Sequence, residues 1–97
     1  MAKELHSDIT DKLFETILKL NTVDECYAFF DDLCTVKEIK DMTQRMQVAA
    51  LLSKGSSYQK VSELTSVSSA TISRVKRCLD YGSGGYSWAI KSMEEIK

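Results

Sequence analysis

The first half of this chain contains the same helix N-terminal sequence signal twice. Thr22 is followed three residues later by Glu25, and Thr35 is followed by Glu38 at the same spacing. A hydroxyl at the cap and a carboxylate three residues on each accept a hydrogen bond from a free backbone N–H. Apolar residues then recur every three or four positions, as one face of a helix requires, and no stretch alternates like a strand. The sequence therefore predicts an all-α fold.

The same kinds of signal predict six helices. Ser7 or Asp8 can cap the first helix, because short polar side chains accept hydrogen bonds from free N–H groups there. Ser56 and Gln59 repeat the capping spacing before the fourth helix, and Gly55 is placed to end the third in left-handed backbone. The predicted helices are 8–20, 23–34, 36–54, a short helix from about 57, 69–81 and 86–96.

Length limits the chain to one small domain. With 97 residues and 43% apolar side chains, residues 1–97 support a single core. A chain this short buries a modest fraction of its surface on its own. The first helix is also apolar on more than one side, because Phe14 and Leu18 widen the stripe set by Ile9 and Ile17. We therefore expect a homodimer.

Several functional classes are not expected. No apolar run reaches the roughly 18 residues that cross a bilayer, and the first residues lack a signal-peptide core, so we expect a cytoplasmic protein away from membranes. The cysteines Cys26, Cys34 and Cys78 lack the paired spacing of a zinc site, and His6 is the only histidine. We expect no metal, no cofactor and no catalytic residues, and we expect Cys26 and Cys34 to be buried as small hydrophobes.

Charge is unevenly distributed along the chain. The whole chain carries −1 and residues 1–53 carry −4, whereas residues 54–77 carry +4. A phosphate backbone could be attracted to such a segment, although a solvated basic helix has the same composition. The basic residues of the segment, opposed by Glu63 alone, are Lys54, Lys60, Arg74, Lys76 and Arg77.

Residues 57–77 have the pattern of a helix-turn-helix, in which a short helix, a tight turn and a second helix follow one another. Positions expected to lock the helices together hold Val61, Val67, Ile72 and Val75, and Leu64 is expected to face inward beside Val61. At 100° per residue, the opposite face of the second helix is small, hydroxylic and cationic, which suits contact with bases and phosphates. This outward face contains Ala70, Ser73, Arg74 and Arg77.

The pattern has two irregular positions. Ser66 stands in the turn where glycine usually supplies left-handed backbone, and Ser62 stands where alanine is common at the close helix approach. The alternative interpretation is an ordinary helical hairpin with a charged exterior.

Five short motifs follow one another at fixed separations, namely LCTVKE (33–38), TQR (43–45), LLxxG (51–55), SYQK (57–60) and ATISR (70–74). In their order and separations they resemble the Trp repressor superfamily and in particular its YerC/YecD branch. The resemblance runs from about Asp8 to Ile96. It implies an intertwined dimer in which the first three helices and the last interlock with the partner, while a helix-turn-helix at about 57–81 projects toward DNA.

The resemblance assigns DNA contacts by position. Gln59 and Lys60 match residues that contact phosphates, and Ser69, Ala70 and Ser73 match those that contact bases. The predicted DNA-binding set is completed by the cationic residues Arg74, Lys76 and Arg77.

The resemblance also implies a pocket for a small effector. Arg45, Thr71 and Arg74 match residues that hold the tryptophan corepressor. However, Asp32 and Cys34 replace apolar residues that the partner chain contributes to that pocket. Cys78 replaces a serine near the ligand, and the turn has one extra residue. We therefore expect that tryptophan is not the effector, and the alternatives are another small anion or amino acid, or no effector at all.

These observations favour a DNA-binding transcription regulator, acting as a repressor and a homodimer on double-stranded DNA. The alternative is a helical interaction module whose basic segment docks an acidic protein. A carboxylate pair, a phosphate-binding loop and an activated nucleophile are all missing from the sequence, so an enzyme is not expected.

Overall fold

The computed structural model describes residues 3–96, and all regular structure in that range is helical. A short 3-10 turn at Lys3–Leu5 precedes six α-helices, which confirms the predicted all-α fold. The helices are α1 (Asp8–Ile17), α2 (Val23–Leu33), α3 (Val36–Ser53), α4 (Tyr58–Thr65), α5 (Ser69–Tyr81) and α6 (Gly85–Glu94).

The two predicted capping boxes are present. The Glu25 N–H donates to Thr22 Oγ1 at 3.0 Å, and the Thr22 N–H donates to Glu25 Oε1 at 3.2 Å. The Thr35 N–H likewise donates to Glu38 Oε1 at 2.8 Å, while the Glu38 N–H donates to Thr35 Oγ1 at 3.1 Å. These bonds satisfy N–H groups that the first helical turn leaves free, and they fix where α2 and α3 begin.

The predicted end of the first helix is wrong. The α-helical pattern stops at Ile17 rather than Leu20. The Lys19 N–H donates to the Thr16 carbonyl and the Leu20 N–H donates to the Ile17 carbonyl, both at 3.0 Å. Hydrogen bonds to the third residue back tighten the chain after a helix, so apolar periodicity continues past the end of the α-helix itself.

Two other helix boundaries also differ from prediction. The N-cap of α4 is Ser57, whose hydroxyl accepts the Lys60 N–H at 3.1 Å, and the predicted pairing of Ser56 with Gln59 is wrong. Adjacent serines give the same sequence signal in two registers, and backbone direction selects between them. The last helix is α6, one residue earlier at its start and two at its end than the predicted 86–96.

The chain forms two compact units, the first ending at Ile39 and the second beginning at Lys40. In the first unit, neither α1 nor α2 contains a buried residue. Ile9 is 83% exposed and Leu18 is 82% exposed, so the predicted wide apolar stripe of the first helix lies open in the single chain.

Burial of the first two cysteines was predicted wrongly for the single chain. Cys26 is exposed and Cys34 is of intermediate exposure. Their apolar neighbours Val23 and Tyr27 are also exposed, at 72% and 69%. An apolar neighbourhood in sequence leads to burial only where another element covers that face, and no element within residues 3–96 covers this part of α2.

The core lies in the second unit, where α4 packs on α5 and α5 packs on α6. Leu51, Leu79, Tyr86 and Ile90 pack around it while remaining partly exposed. Its buried apolar residues are Val48, Ala49, Leu52, Val61, Val67, Ile72 and Val75.

One predicted core residue is outside this cluster. Leu64 is 53% exposed, so the prediction that it faces inward is wrong. The buried side of α4 consists of Val61 and Thr65, which are one turn apart. None of the helices in residues 3–96 has the length and apolarity to span a membrane.

Candidate nucleic-acid interface

A three-residue turn connects α4 to α5 and sets their relative positions. Its first residue, Ser66, has φ 59° and ψ 19°, so the left-handed backbone predicted at this position is present. The Ser66 N–H donates to the Ser62 carbonyl at 2.8 Å and ends α4. The turn then places Val67, only 9% exposed, into the core.

The start of α5 is fixed by two hydrogen bonds between Ser68 and Thr71. The Ser68 Oγ accepts the Thr71 N–H at 3.3 Å and donates to Thr71 Oγ1 at 3.1 Å. The hydroxyl of Thr71, a predicted ligand contact, is therefore engaged in the helix cap. This cap holds the first turn of α5, where the predicted base contacts Ser69 and Ala70 lie.

The two sides of α5 differ sharply. Ile72 and Val75 are fully buried, at 0% and 1% exposure. The opposite side is open to solvent, as the 100° spacing predicts. All four residues assigned to this side from the sequence are exposed, namely Ala70, Ser73, Arg74 and Arg77, and the predicted base contact Ser69 is exposed as well.

Two of the predicted DNA contacts have acidic partners on their own helices. Gln59 Nε2 donates to Glu63 Oε1 at 3.4 Å, and Lys76 Nζ lies 3.3 Å from Asp80 Oδ1. The Lys76 and Asp80 side chains are 44% and 42% exposed, so solvent screens this pair and either residue can exchange partners at low cost.

Three other cations of the basic segment 54–77 form no ion pair within residues 3–96. Lys60, Arg74 and Arg77 form no ion pair with a described carboxylate, and Lys60 and Arg77 are exposed on α4 and α5. Unpaired exposed cations on adjacent helices are available to a phosphate backbone without first breaking an internal bond.

A cleft of about 370 Å³ brings together residues from three helices of the second unit. Arg45 of α3 and Arg74 of α5, both predicted ligand contacts, line it beside Val75, Cys78 and Tyr86. Thr71 is not among the lining residues. Two guanidinium groups at one opening favour an anionic group, and Val75 and the Tyr86 ring supply apolar surface.

Tyr86 was not identified as a site residue from the sequence. It lies on the apolar face of α6, where its type and spacing indicate only core packing. The turn from Gly82 to Gly84 returns the chain toward α5, and a side chain at Gly82 would collide with the Cys78 carbonyl oxygen. Because this reversal depends on backbone geometry, no local pattern indicates that Tyr86 reaches the arginines.

Comparison with known proteins agrees with this arrangement. The family model of the Trp repressor protein matches residues 9–94, nearly the whole chain. The chain belongs to the Trp repressor family. The resemblance predicted from the five motifs is thereby confirmed.

A curated relative places the chain within that family. It is 51% identical over 87 residues to the uncharacterized protein YerC of Bacillus subtilis (strain 168), covering 90% of this chain and 84% of the relative. This similarity confirms the predicted YerC branch of the Trp repressor family.

Two solved structures of Trp-repressor-like proteins share the fold. A TrpR-like protein from Eubacterium eligens ATCC 27750 has a TM-score of 0.91 at 39% identity, with 97% of each chain covered. A putative Trp repressor from Staphylococcus aureus has a TM-score of 0.93 at 43% identity, covering 97% of this chain and 95% of that one. This chain therefore shares its fold with both proteins over nearly its whole length.

Proposed function

We propose that this protein is a sequence-specific DNA-binding transcription regulator that acts as a homodimer. The helix-turn-helix consists of α4, the three-residue turn and α5. The observation that carries the proposal is the two-sided character of α5, whose inner face is anchored by Ile72 and Val75 while its outer face is small and cationic. In a Trp repressor family member, that outer face is the one that enters the major groove.

The outer residues divide into two roles. Lys60 and Arg77 bind phosphates without sequence preference, because a flexible cation recognises charge rather than base identity. The phosphate contacts are completed by Gln59, Arg74 and Lys76. Base edges are contacted by the small residues Ser69, Ala70 and Ser73, whose short side chains permit a close approach of the helix to the groove.

Dimerisation is supported by the open apolar faces of the first unit. Ile9, Leu18, Val23 and Tyr27 are each more than two-thirds exposed in the single chain. Several large apolar side chains left exposed on two consecutive helices are typical of a surface that a partner covers. A twofold dimer would place two α5 helices about 34 Å apart, in successive major grooves. In this arrangement residues 1–97 act as one domain, in the cytoplasm, and the regulator represses transcription.

The cleft beside α5 is proposed to bind a small effector through Arg45 and Arg74, with Thr71 nearby in the cap. The two guanidinium groups favour a ligand that carries a negative charge. In the proposed dimer the partner supplies Asp32 and Cys34 where relatives of this fold have apolar residues. A carboxylate there disfavours the carboxylate of tryptophan, so the effector differs from tryptophan.

The test is selection of bound sequences from a random duplex pool, with two single variants beside the wild type. Arg77→Ala should weaken binding to all sequences alike and reduce the log–log salt slope by about 0.9, the contribution of one phosphate contact. Ser73→Ala should change the preferred sequence and leave the salt slope unchanged. If the wild type enriches no motif, the proposal is wrong.

The alternative is an interaction module that docks an acidic protein. Exposed Tyr58 and Leu64, at 43% and 53%, favour it because they give α4, which packs on the cationic α5, exposed apolar surface. An interaction module would bind DNA weakly and without an enriched motif, so the same selection separates the two functions.

A further inference from the structure

Among residues 3–96, the buried polar residue is Thr65, which is 7% exposed in an otherwise apolar core. It is the last residue of α4 and directly precedes the turn into α5. Burial of a hydroxyl without hydrogen bonds is costly, so a hydroxyl at this position has to be bonded in place.

Both bonding capacities of the Thr65 hydroxyl are used across the turn. Its Oγ1 donates to the Val61 carbonyl at 2.7 Å, one helical turn back. The same oxygen accepts the Val67 N–H at 3.3 Å, two residues ahead. One hydroxyl therefore joins the final turn of α4 to the middle residue of the connection.

The bond to Val67 holds the middle of the turn that leads into α5. Val67 is buried with Val61, Ile72 and Val75, so its backbone position and its side chain are both fixed. The next residue, Ser68, caps α5, and the proposed base contacts begin immediately after it. A displacement at Val67 would be transmitted to Ser69 within two residues.

We infer that Thr65 is a positioning residue that sets the angle of α5 for base recognition. The inference deepens the proposed function and rests on it. Base contacts from a rigid helix require placement within about 0.5 Å and 10–20°. Phosphate contacts from long cations such as Lys60 and Arg77 tolerate a larger displacement, because those side chains can follow the backbone. Loss of the Thr65 hydroxyl should therefore reduce sequence discrimination before it reduces DNA binding as a whole.

The experiment compares the full-length wild type with Thr65→Val and Thr65→Ser. Valine has the same shape without the hydroxyl, whereas serine retains the hydroxyl and loses the methyl group. For Thr65→Val we expect affinity for the selected sequence to fall about tenfold, as for one weakened base contact, with affinity for unrelated duplex unchanged. Thr65→Ser should keep the wild-type ratio of the two affinities.

A stability control separates positioning from general weakening. Val48→Ala removes buried methyl groups from α3, outside the turn itself, and should lower stability. It should leave the ratio of specific to non-specific affinity unchanged well below its Tm. Hydrogen exchange at the Val67 amide should accelerate in Thr65→Val and not in Thr65→Ser, since only the valine variant frees that N–H.

Each outcome has one meaning. A wild type without any preferred sequence overturns the proposed function and, with it, this inference. A selective wild type whose Thr65→Val variant keeps the same affinity ratio overturns the inference alone. The inference is also overturned if Val48→Ala lowers the ratio as much as Thr65→Val does, because the loss would then follow stability.

Discussion

Replacing Ser66 with glycine should stabilise the protein. Within residues 3–96, one non-glycine residue has a positive φ angle, and it is Ser66 with φ 59°. Left-handed backbone brings a Cβ close to the following carbonyl, which costs roughly 1–2 kcal/mol for an ordinary residue. Glycine has no Cβ and avoids that contact, while the Ser66 N–H bond to the Ser62 carbonyl is a backbone bond that the substitution retains.

The expected gain is smaller than the strain removed. Glycine gains conformational freedom in the unfolded chain, which lowers stability by about 0.5–1 kcal/mol. The midpoints of the two ranges differ by about 0.75 kcal/mol, so we expect Ser66→Gly to be more stable by roughly 0.5–1 kcal/mol per chain. For a chain of this size the corresponding rise in Tm is about 2–8 °C.

Thermal unfolding followed by circular dichroism measures the change, at one fixed protein concentration because the Tm of a dimer depends on it. Ser62→Gly is the matched control, since it makes the same chemical change inside α4. It should lower stability by roughly 0.5 kcal/mol, as glycine does in a helix interior. If Ser66→Gly melts at or below the wild-type temperature, backbone strain at the turn is not the controlling factor.

Three other results are expected. Sedimentation at micromolar concentration should show a dimer whose Tm rises with concentration, and a folded monomer would refute the proposed use of the α1 and α2 surfaces. Calorimetric titration should show L-tryptophan binding no tighter than about 100 μM, or roughly 5.5 kcal/mol, whereas tighter binding with increased DNA affinity would refute the effector assignment. Asp80→Asn should release Lys76 from its ion pair and steepen the salt slope of DNA binding by up to about 0.9. The control Glu94→Gln removes one carboxylate elsewhere and should not change the slope. If the two variants have the same slope, Lys76 does not contact a phosphate.

Features that depend on neighbouring residues could be predicted from the sequence. The capping boxes at Thr22 and Thr35 join residues three apart, so residue type and spacing were enough to locate them. The buried and exposed sides of α5 followed from helical geometry once Ile72 was taken as the inner position. Left-handed backbone at Ser66 could be predicted because a turn between two helices needs such a residue at that point.

Features that depend on which surfaces meet could not be predicted in this way. Leu64 and Val61 lie on adjacent parts of the α4 surface, yet only Val61 is buried, because α5 packs against the side shared with Thr65. Tyr86 reaches the cleft of Arg45 and Arg74 through the chain reversal at Gly82–Gly84. Helical periodicity shows which residues share a face, but long-range packing decides which face is covered, and that choice was made only in the tertiary structure.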